Sequence, residues 1–349
     1  MITLQKSNQL KSIAILMMLF LHLFNRDYTG LFEPWIFIGN IPLSYYISLF
    51  CDACVPIFAF VSGYGLYFKF LQNRNRYKKN HQTRLKKLYL NLWIIVILFA
   101  VGLGIFIGKE GYPGSLLKLL LNLTALDPSY NGAWWFLTVY ILFAFTSSFW
   151  FNLLERMNPY VFLLALLLVY AAAFYLRVYR NDIFENGIAK WVHRQSALYF
   201  CTLFQFMLGA FALKFNWHQK IRSLFQRVKF KNIAALAGIA ILIMFHAAVP
   251  NFIIAPFTGL GFIFLFLQLH LSESLSKIID FFTPHATNIW LVHMFFYMIY
   301  FPAFIYSPTY VLPIFGLLIL CSLISSYLIK FIEIPLVELL FTPKSQAMH

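Results

Sequence analysis

Long runs of apolar residues recur along nearly the whole chain, and they constrain it more than any other feature. A helix that crosses a bilayer needs about 20 residues of mainly apolar character. Such runs fall at about 9–27, 43–71, 88–108, 133–153, 160–178, 197–214, 232–249, 252–271, 286–305 and 311–332. They predict an all-α polytopic membrane protein of about ten transmembrane helices. Only 11% of the 349 residues are charged, roughly half the share of a soluble domain. Ten spans with short loops use most of the chain and leave no room for a sizeable soluble domain. The first run lacks a small-residue cleavage site, so it is expected to stay as a helix. The second run is long enough to tilt, and Pro56 within it can kink it. Gly63 and Gly65 would let it approach a neighbour closely. The short SLLKLLLNL segment (115–123) predicts an interfacial helix.

Charge sets the expected orientation. The net charge of +15 resides mainly in short loops, where Lys and Arg set topology; we read no nucleic-acid partner from it. The loop NRNRYKKNHQTRLKK (73–87) and the basic stretch Lys214–Lys231 are expected in the cytoplasm. An even number of spans then places both termini there, consistent with Lys6 and Lys11. One loop fits poorly: Arg177, Arg180, Lys190 and Arg194, against Asp182 and Glu185, follow the fifth span on the expected external side. No internal repeat or low-complexity linker appears, so one domain over 1–349 is expected. Cys51, Cys54, Cys201 and Cys321 all lie in apolar segments and predict buried free thiols, with no metal site.

Ionisable groups at membrane depth are costly, so each needs a partner or a water-filled cavity. His22 is the only polar residue of LMMLFLHLF (16–24). It follows Lys11 by eleven residues, about 16 Å along a helix and close to three full turns. One helix face would carry a cation near the cytosol and an imidazole past the bilayer middle. Asp52 falls at comparable depth in the second span and could hold the imidazole tautomer of a general base. Packing roles for both residues are the competing expectation. Trp134 and Trp135 fit an external aromatic belt and could equally wall a sugar-binding cavity. His293 and Glu333 are further candidates for a polar cavity.

These residues carry a resemblance. LKSIAILMMLFLH (10–22), VPIFAFVSGYGL (55–66), TRLKKLY (83–89), NGAWWFL (131–137), FQFMLGAF (204–211), NIWLVH (288–293) and EIP (333–335), in this order, resemble the acyltransferase-3 family of integral-membrane acyltransferases. The likeness runs from about residue 9 to residue 335. The family's arginine, eleven residues before its histidine, corresponds to Lys11. Lysine keeps the charge and lacks the two-pronged fork of arginine. The family's basic pair falls on Arg84 and Lys87, beside Arg74 and Arg76 of the same loop.

The resemblance implies an O-acyltransferase, with acetyl-CoA as donor and a hydroxyl of a cell-surface polysaccharide or lipid-linked glycan as acceptor. His22 and Asp52 would be catalytic, with His22 as general base or acyl relay. Lys11, Arg74, Arg76, Arg84 and Lys87 would meet the donor's phosphates. Trp134, Trp135, His293 and Glu333 would face the acceptor. A bacterial cytoplasmic (inner) membrane, glycan-assembly partners, no metal cofactor and no fused SGNH-type esterase domain are also implied. A glycan or lipid transporter, which also uses intramembrane His and Asp, and a helix-locking scaffold are the alternative expectations.

Overall fold

Bare backbone N–H and C=O groups find no water in hydrocarbon, so a chain this apolar must satisfy them within helices. The computed structural model describes residues 1–341; residues 342–349 of the expected domain lie outside it. In chain order its helices are α1 (Leu4–Phe24), α2 (Leu43–Phe50), α3 (Cys54–Gln72), α4 (Tyr77–Ile95), α5 (Gly104–Ile107), α6 (Leu116–Leu123), α7 (Trp135–Arg156) and α8 (Pro159–Tyr179). There follow α9 (Gly187–Lys214), α10 (Trp217–Phe225), α11 (Lys231–Ala248), α12 (Ala255–Phe266), α13 (Glu273–Phe282), α14 (Ala286–Met294), α15 (Pro302–Tyr306) and α16 (Val311–Phe341). Two-residue strands at Phe37–Ile38 and Ile41–Pro42 form a small hairpin. The fold is therefore the expected all-α one.

Among the described residues, eight helical segments are long and apolar enough to cross a membrane. They correspond to eight of the predicted spans. The predicted span 252–271 contains the shorter apolar helix Phe252–Phe266. The predicted span 286–305 is α14, a π-helical turn Phe295–Tyr300 and α15 in succession. A short helix, α6, forms at the predicted 115–123 segment, with Leu116, Leu117 and Leu120 exposed.

Local sequence explains where several helices begin. Thr3 caps α1 by accepting from the Lys6 N–H at 3.2 Å, and Ser115 caps α6 in the same way. Asn158 and Asn186 cap α8 and α9, the former followed by Pro159 in the first turn. The predicted second span is not one helix. A 3₁₀ turn at Cys51–Ala53 separates α2 from α3. Pro56 has no N–H to offer the carbonyl four residues back, which belongs to Asp52. The irregularity thus sits on the N-terminal side of the proline and carries Asp52 with it.

The chain forms two compact units. The first comprises Met1–Tyr28, Pro34–Arg74 and Leu142–Thr283; the second comprises Thr29–Glu33, Asn75–Ile141 and Pro284 onward. In the first, α3 and α9 pack with backbone nearly touching backbone. A Cβ on Gly63 would stand 1.8 Å from the Phe206 carbonyl oxygen, and one on Gly209 would stand 2.0 Å from that of Phe60. Around this contact the rings of Phe143, Phe151 and Phe206 stack, with Tyr67 tilted against Phe151. Gly65, expected to share the role of Gly63, meets nothing within 4 Å.

In the second unit, two π-helical segments meet. Phe99 of Val96–Leu103 stacks on Phe295 with centroids 5.2 Å apart, and the Tyr300 hydroxyl donates to the Phe99 carbonyl at 2.7 Å. A π turn leaves carbonyls weakly engaged by the helix, and here a tyrosine from the other π segment takes one of them.

The α3–α9 contact makes a sharp prediction. Gly63→Ala and Gly209→Ala should each lower the melting temperature in detergent, at a cost of about 1–3 kcal/mol from forced backbone movement. Gly65→Ala should melt like the wild type. A Gly63→Ala protein as stable as the wild type would contradict the packing described.

Candidate functional site

Within the first unit, α1 runs unbroken from Leu4 to Phe24, so the expected spacing of Lys11 and His22 holds. They lie about 16 Å apart along one helix face. The start of α1 is held by polar contacts. Gln5 donates to Asp280 at 2.8 Å, Gln9 to Ser276 at 2.7 Å, and Ser12 bonds Thr283 at 3.0 Å. Lys6 donates to the Leu269 carbonyl at 3.2 Å and lies over the Phe266 ring. Thus α13, which is amphipathic, supplies the polar surface on which the start of α1 rests.

His22 lies in the last turn of α1, partly buried. The Arg26 Nη2 donates to the His22 carbonyl oxygen at 2.6 Å. The guanidinium thereby caps the helix end, where backbone carbonyls lack internal donors. It also interacts electrostatically with the imidazole. Arg26 was not among the predicted site residues. Its spacing of four after His22, which puts both on one helix face, was the available signal.

Asp52 sits on the 3₁₀ turn between α2 and α3, and its opposite charge is Arg177. Asp52 and His22 each have an arginine as an electrostatic neighbour. A permanently charged guanidinium is the stronger counter-ion for a carboxylate. Arg177 is not a loop residue. It lies in the last turn of α8, hydrogen-bonds Cys201 of α9, and places its guanidinium 4.9 Å from the Phe252 ring centroid. Nearby, the Tyr170 hydroxyl donates to the Ile253 carbonyl at 2.8 Å.

This arrangement explains part of the excess charge in the poorly fitting loop. Arg177 answers Asp52 inside the unit, and Lys190 pairs with Asp182 at 2.8 Å. The clue to Arg177 was an apolar run that reaches it with no intervening glycine or proline.

Arg74 also belongs to the first unit. It forms an ion pair with Glu155 at 3.7 Å, and Lys214 pairs with the same carboxylate at 3.2 Å. The Tyr67 hydroxyl donates to Glu155 as well. The carboxylate therefore gathers two cations and a phenol where α3, α7 and α9 end. Part of the Arg74 charge is already balanced within the protein.

The second unit holds the other predicted residues. Arg76 precedes α4 as its N-terminal flanking residue, and Arg84 and Lys87 are exposed on α4. The Arg84 guanidinium lies 5.5 Å from the Tyr140 ring centroid. Lys87 lies over Phe341 and is an electrostatic neighbour of Glu333, as is Lys330.

Trp134 departs from expectation. Its side chain is 0% exposed, its Nε1–H donates to the Leu291 carbonyl at 2.9 Å, and its ring meets Phe295 edge-on. Buried in this way, it does not form part of an exposed aromatic belt. Trp135 is partly buried and meets Phe136 edge-on. His293 is fully buried; its Nδ1–H donates to the Trp290 carbonyl at 2.7 Å, and its ring stacks on Tyr297.

Among the described residues, no three His, Cys, Asp or Glu side chains gather as a metal ion would require. The four cysteines are free thiols, three buried and Cys321 partly exposed.

The Asp52–Arg177 pair is testable by a double-mutant cycle. Arg177→Gln alone should lower thermal stability in detergent more than Arg177→Gln combined with Asp52→Asn. The single change strands a carboxylate, while the double change removes both charges. Losses that add within about 0.5 kcal/mol would mean that the two groups do not couple.

Comparison with known proteins adds one finding. The model of the acyltransferase-3 family, described as an acyltransferase domain, matches residues 5–330. No curated protein and no solved structure matches the chain. The match covers almost every element described above, from α1 into α16, and on that extent the chain belongs to the acyltransferase-3 family of membrane acyltransferases.

Proposed function

We propose that this protein is an acetyl-CoA-dependent O-acetyltransferase of a cell-surface polysaccharide or its lipid-linked precursor, seated in a bacterial cytoplasmic membrane. The observation that carries the proposal is His22. It is an imidazole at the end of an apolar, family-matched helix that also bears a cation eleven residues earlier. An ionisable ring in such a helix marks a functional site by default.

In the proposed reaction His22 removes the proton of an acceptor hydroxyl. The oxygen attacks the thioester carbonyl, the carbon–sulfur bond breaks, and coenzyme A leaves as a thiol carrying the proton. Acting as a relay, His22 would instead accept the acyl group on a ring nitrogen and pass it to the hydroxyl. Both routes need one neutral ring nitrogen and one transferable proton.

Arg26 caps the helix end that carries the imidazole, and the Asp52–Arg177 pair supports the broken second span beside it in sequence order. We assign them positioning roles. Arg84 and Lys87, exposed on α4 and matching the family's basic pair, are assigned the donor phosphates. Arg76, also exposed, and Lys11 are assigned to them too, while Arg74 shares its charge with Glu155. Trp134, Trp135, His293 and Glu333 remain proposed acceptor contacts.

The test uses membranes containing the protein, acetyl-CoA labelled in the acetyl group, and candidate glycan. Wild type should move label to glycan, and His22→Ala should reduce the rate by about 100-fold or more. Arg84→Gln with Lys87→Gln should raise the KM for acetyl-CoA and leave kcat less affected. Undiminished transfer by His22→Ala would remove the assigned role. Glycan movement across the membrane without acetyl-CoA would favour a transporter.

A further inference from the structure

The second unit contains buried polar groups that the reaction above does not use. Asn91 of α4 and Asn288 of α14 are 7% and 2% exposed. The Asn91 Nδ2 donates to the Asn288 Oδ1 at 2.7 Å. The other end of the Asn91 amide, its Oδ1 acceptor, is buried without a hydrogen-bond partner. Ser322 of α16 is 0% exposed, and its hydroxyl is buried without a partner as well.

The packing places these groups on adjoining helices. Helices α4, α14 and α16 pack against one another. The short connection at Ser307–Tyr310 reverses the chain, so α14 and α16 run antiparallel. His285, at the start of α14, bonds Ser326 of α16 at 2.9 Å through Nδ1. One turn on along α14 comes Asn288, and one turn back along α16 comes Ser322. Both steps go the same way, away from the Lys330–Glu333–Lys87 charge cluster. Asn91 lies seven residues beyond Arg84 on α4, about 10 Å and two turns, on the same face.

Burying an acceptor and a hydroxyl without partners is unfavourable in any apolar bundle, and it is rare in native structures. The chemistry of the pair identifies what would satisfy it. An orphan carbonyl-type acceptor accepts an N–H, and an orphan hydroxyl donates to a C=O. A secondary amide offers one of each. The pantetheine arm of an acyl-CoA carries two secondary amides between its phosphates and its thioester. On this chain, exposed cations come first and the amide-matching groups lie deeper, the same order as in the donor.

We propose that Asn91, paired with Asn288, and Ser322 form a subsite that recognises a secondary amide of the donor's pantetheine arm. The Asn91 Oδ1 accepts from the amide N–H, and the Ser322 hydroxyl donates to the amide carbonyl. Asn288 positions Asn91 by holding its Nδ2, which leaves Oδ1 facing the ligand. The subsite rests on the donor assignment made above and adds to it a measurable discrimination: affinity for the arm separate from affinity for the nucleotide.

The experiment measures displacement of labelled acetyl-CoA from the full-length protein by two unlabelled ligands, coenzyme A and 3′-phospho-ADP, the latter lacking the arm. Ser322→Ala and the paired change Asn91→Leu with Asn288→Leu are compared with wild type. The paired change removes both amides together, so no half-satisfied group is stranded. Each variant should weaken coenzyme A about tenfold, as expected for loss of one good buried hydrogen bond. Affinity for 3′-phospho-ADP should stay at the wild-type value. An equal loss for both ligands, or no loss for either, in a folded variant overturns the subsite while the donor assignment stands. Failure of wild type to bind coenzyme A at all overturns both. A Ser322→Thr protein, which retains the hydroxyl, should keep coenzyme A affinity closer to wild type than Ser322→Ala does; the reverse order would also overturn the assignment.

Discussion

In hydrocarbon a polar group has to find its partner within the protein, and the architecture of this chain follows from that constraint. The backbone meets it by forming helices almost throughout. Where the helices deviate, a specific group takes up what is released. Pro56 cannot serve the Asp52 carbonyl, and the chain turns 3₁₀ there. Two π segments occur in one unit, and the Tyr300 hydroxyl on one serves a carbonyl of the other. Arg26 serves the carbonyl of His22 where α1 runs out of internal donors.

Side chains obey the same constraint where a charge has to be held. In the first unit Asp52 has Arg177 as an electrostatic neighbour, and Glu155 is engaged by Arg74, Lys214 and Tyr67. The bare backbones of Gly63 and Gly209 bring α3 and α9 together without any polar contribution. In the second, a buried amide pair closes only half of its hydrogen-bonding capacity. A framework with matched charges suits a reaction centre that must hold its geometry. An unfilled amide and hydroxyl suit a place that a ligand completes.

Much of the candidate site was legible along the chain because ionisable residues stand out against apolar neighbours. His22, Lys11 and Asp52 needed no structure to be noticed. Their partners were harder to see. Arg177 looked like one more loop cation because its role depends on α8 reaching α9 and the break before α3. Arg26 was recognisable by spacing, yet its hydrogen bond is to a backbone carbonyl, which no residue pattern advertises. Trp134 misled for the opposite reason: a tryptophan at a span end has the same sequence signature whether it faces lipid or core. Asn91 and Asn288 are nearly 200 residues apart, so neither one signals the other.

Hydropathy alone determined the class of this protein, since no other fold can bury the backbone of so many long apolar runs in a bilayer. It also located the long helices and the short helix α6, missed the short helices α10 and α13, and singled out His22. The family likeness could be read from ordered local motifs, which survive without knowledge of packing. Only the tertiary structure decided which charge answers which. It made Arg177 an electrostatic neighbour of Asp52, sealed Trp134 inside, joined Asn91 to Asn288 and divided Gly63 and Gly65 into one that packs and one that does not. Such pairings depend on distances between helices far apart in sequence, and a linear pattern carries residue spacing along one helix but not the approach of another.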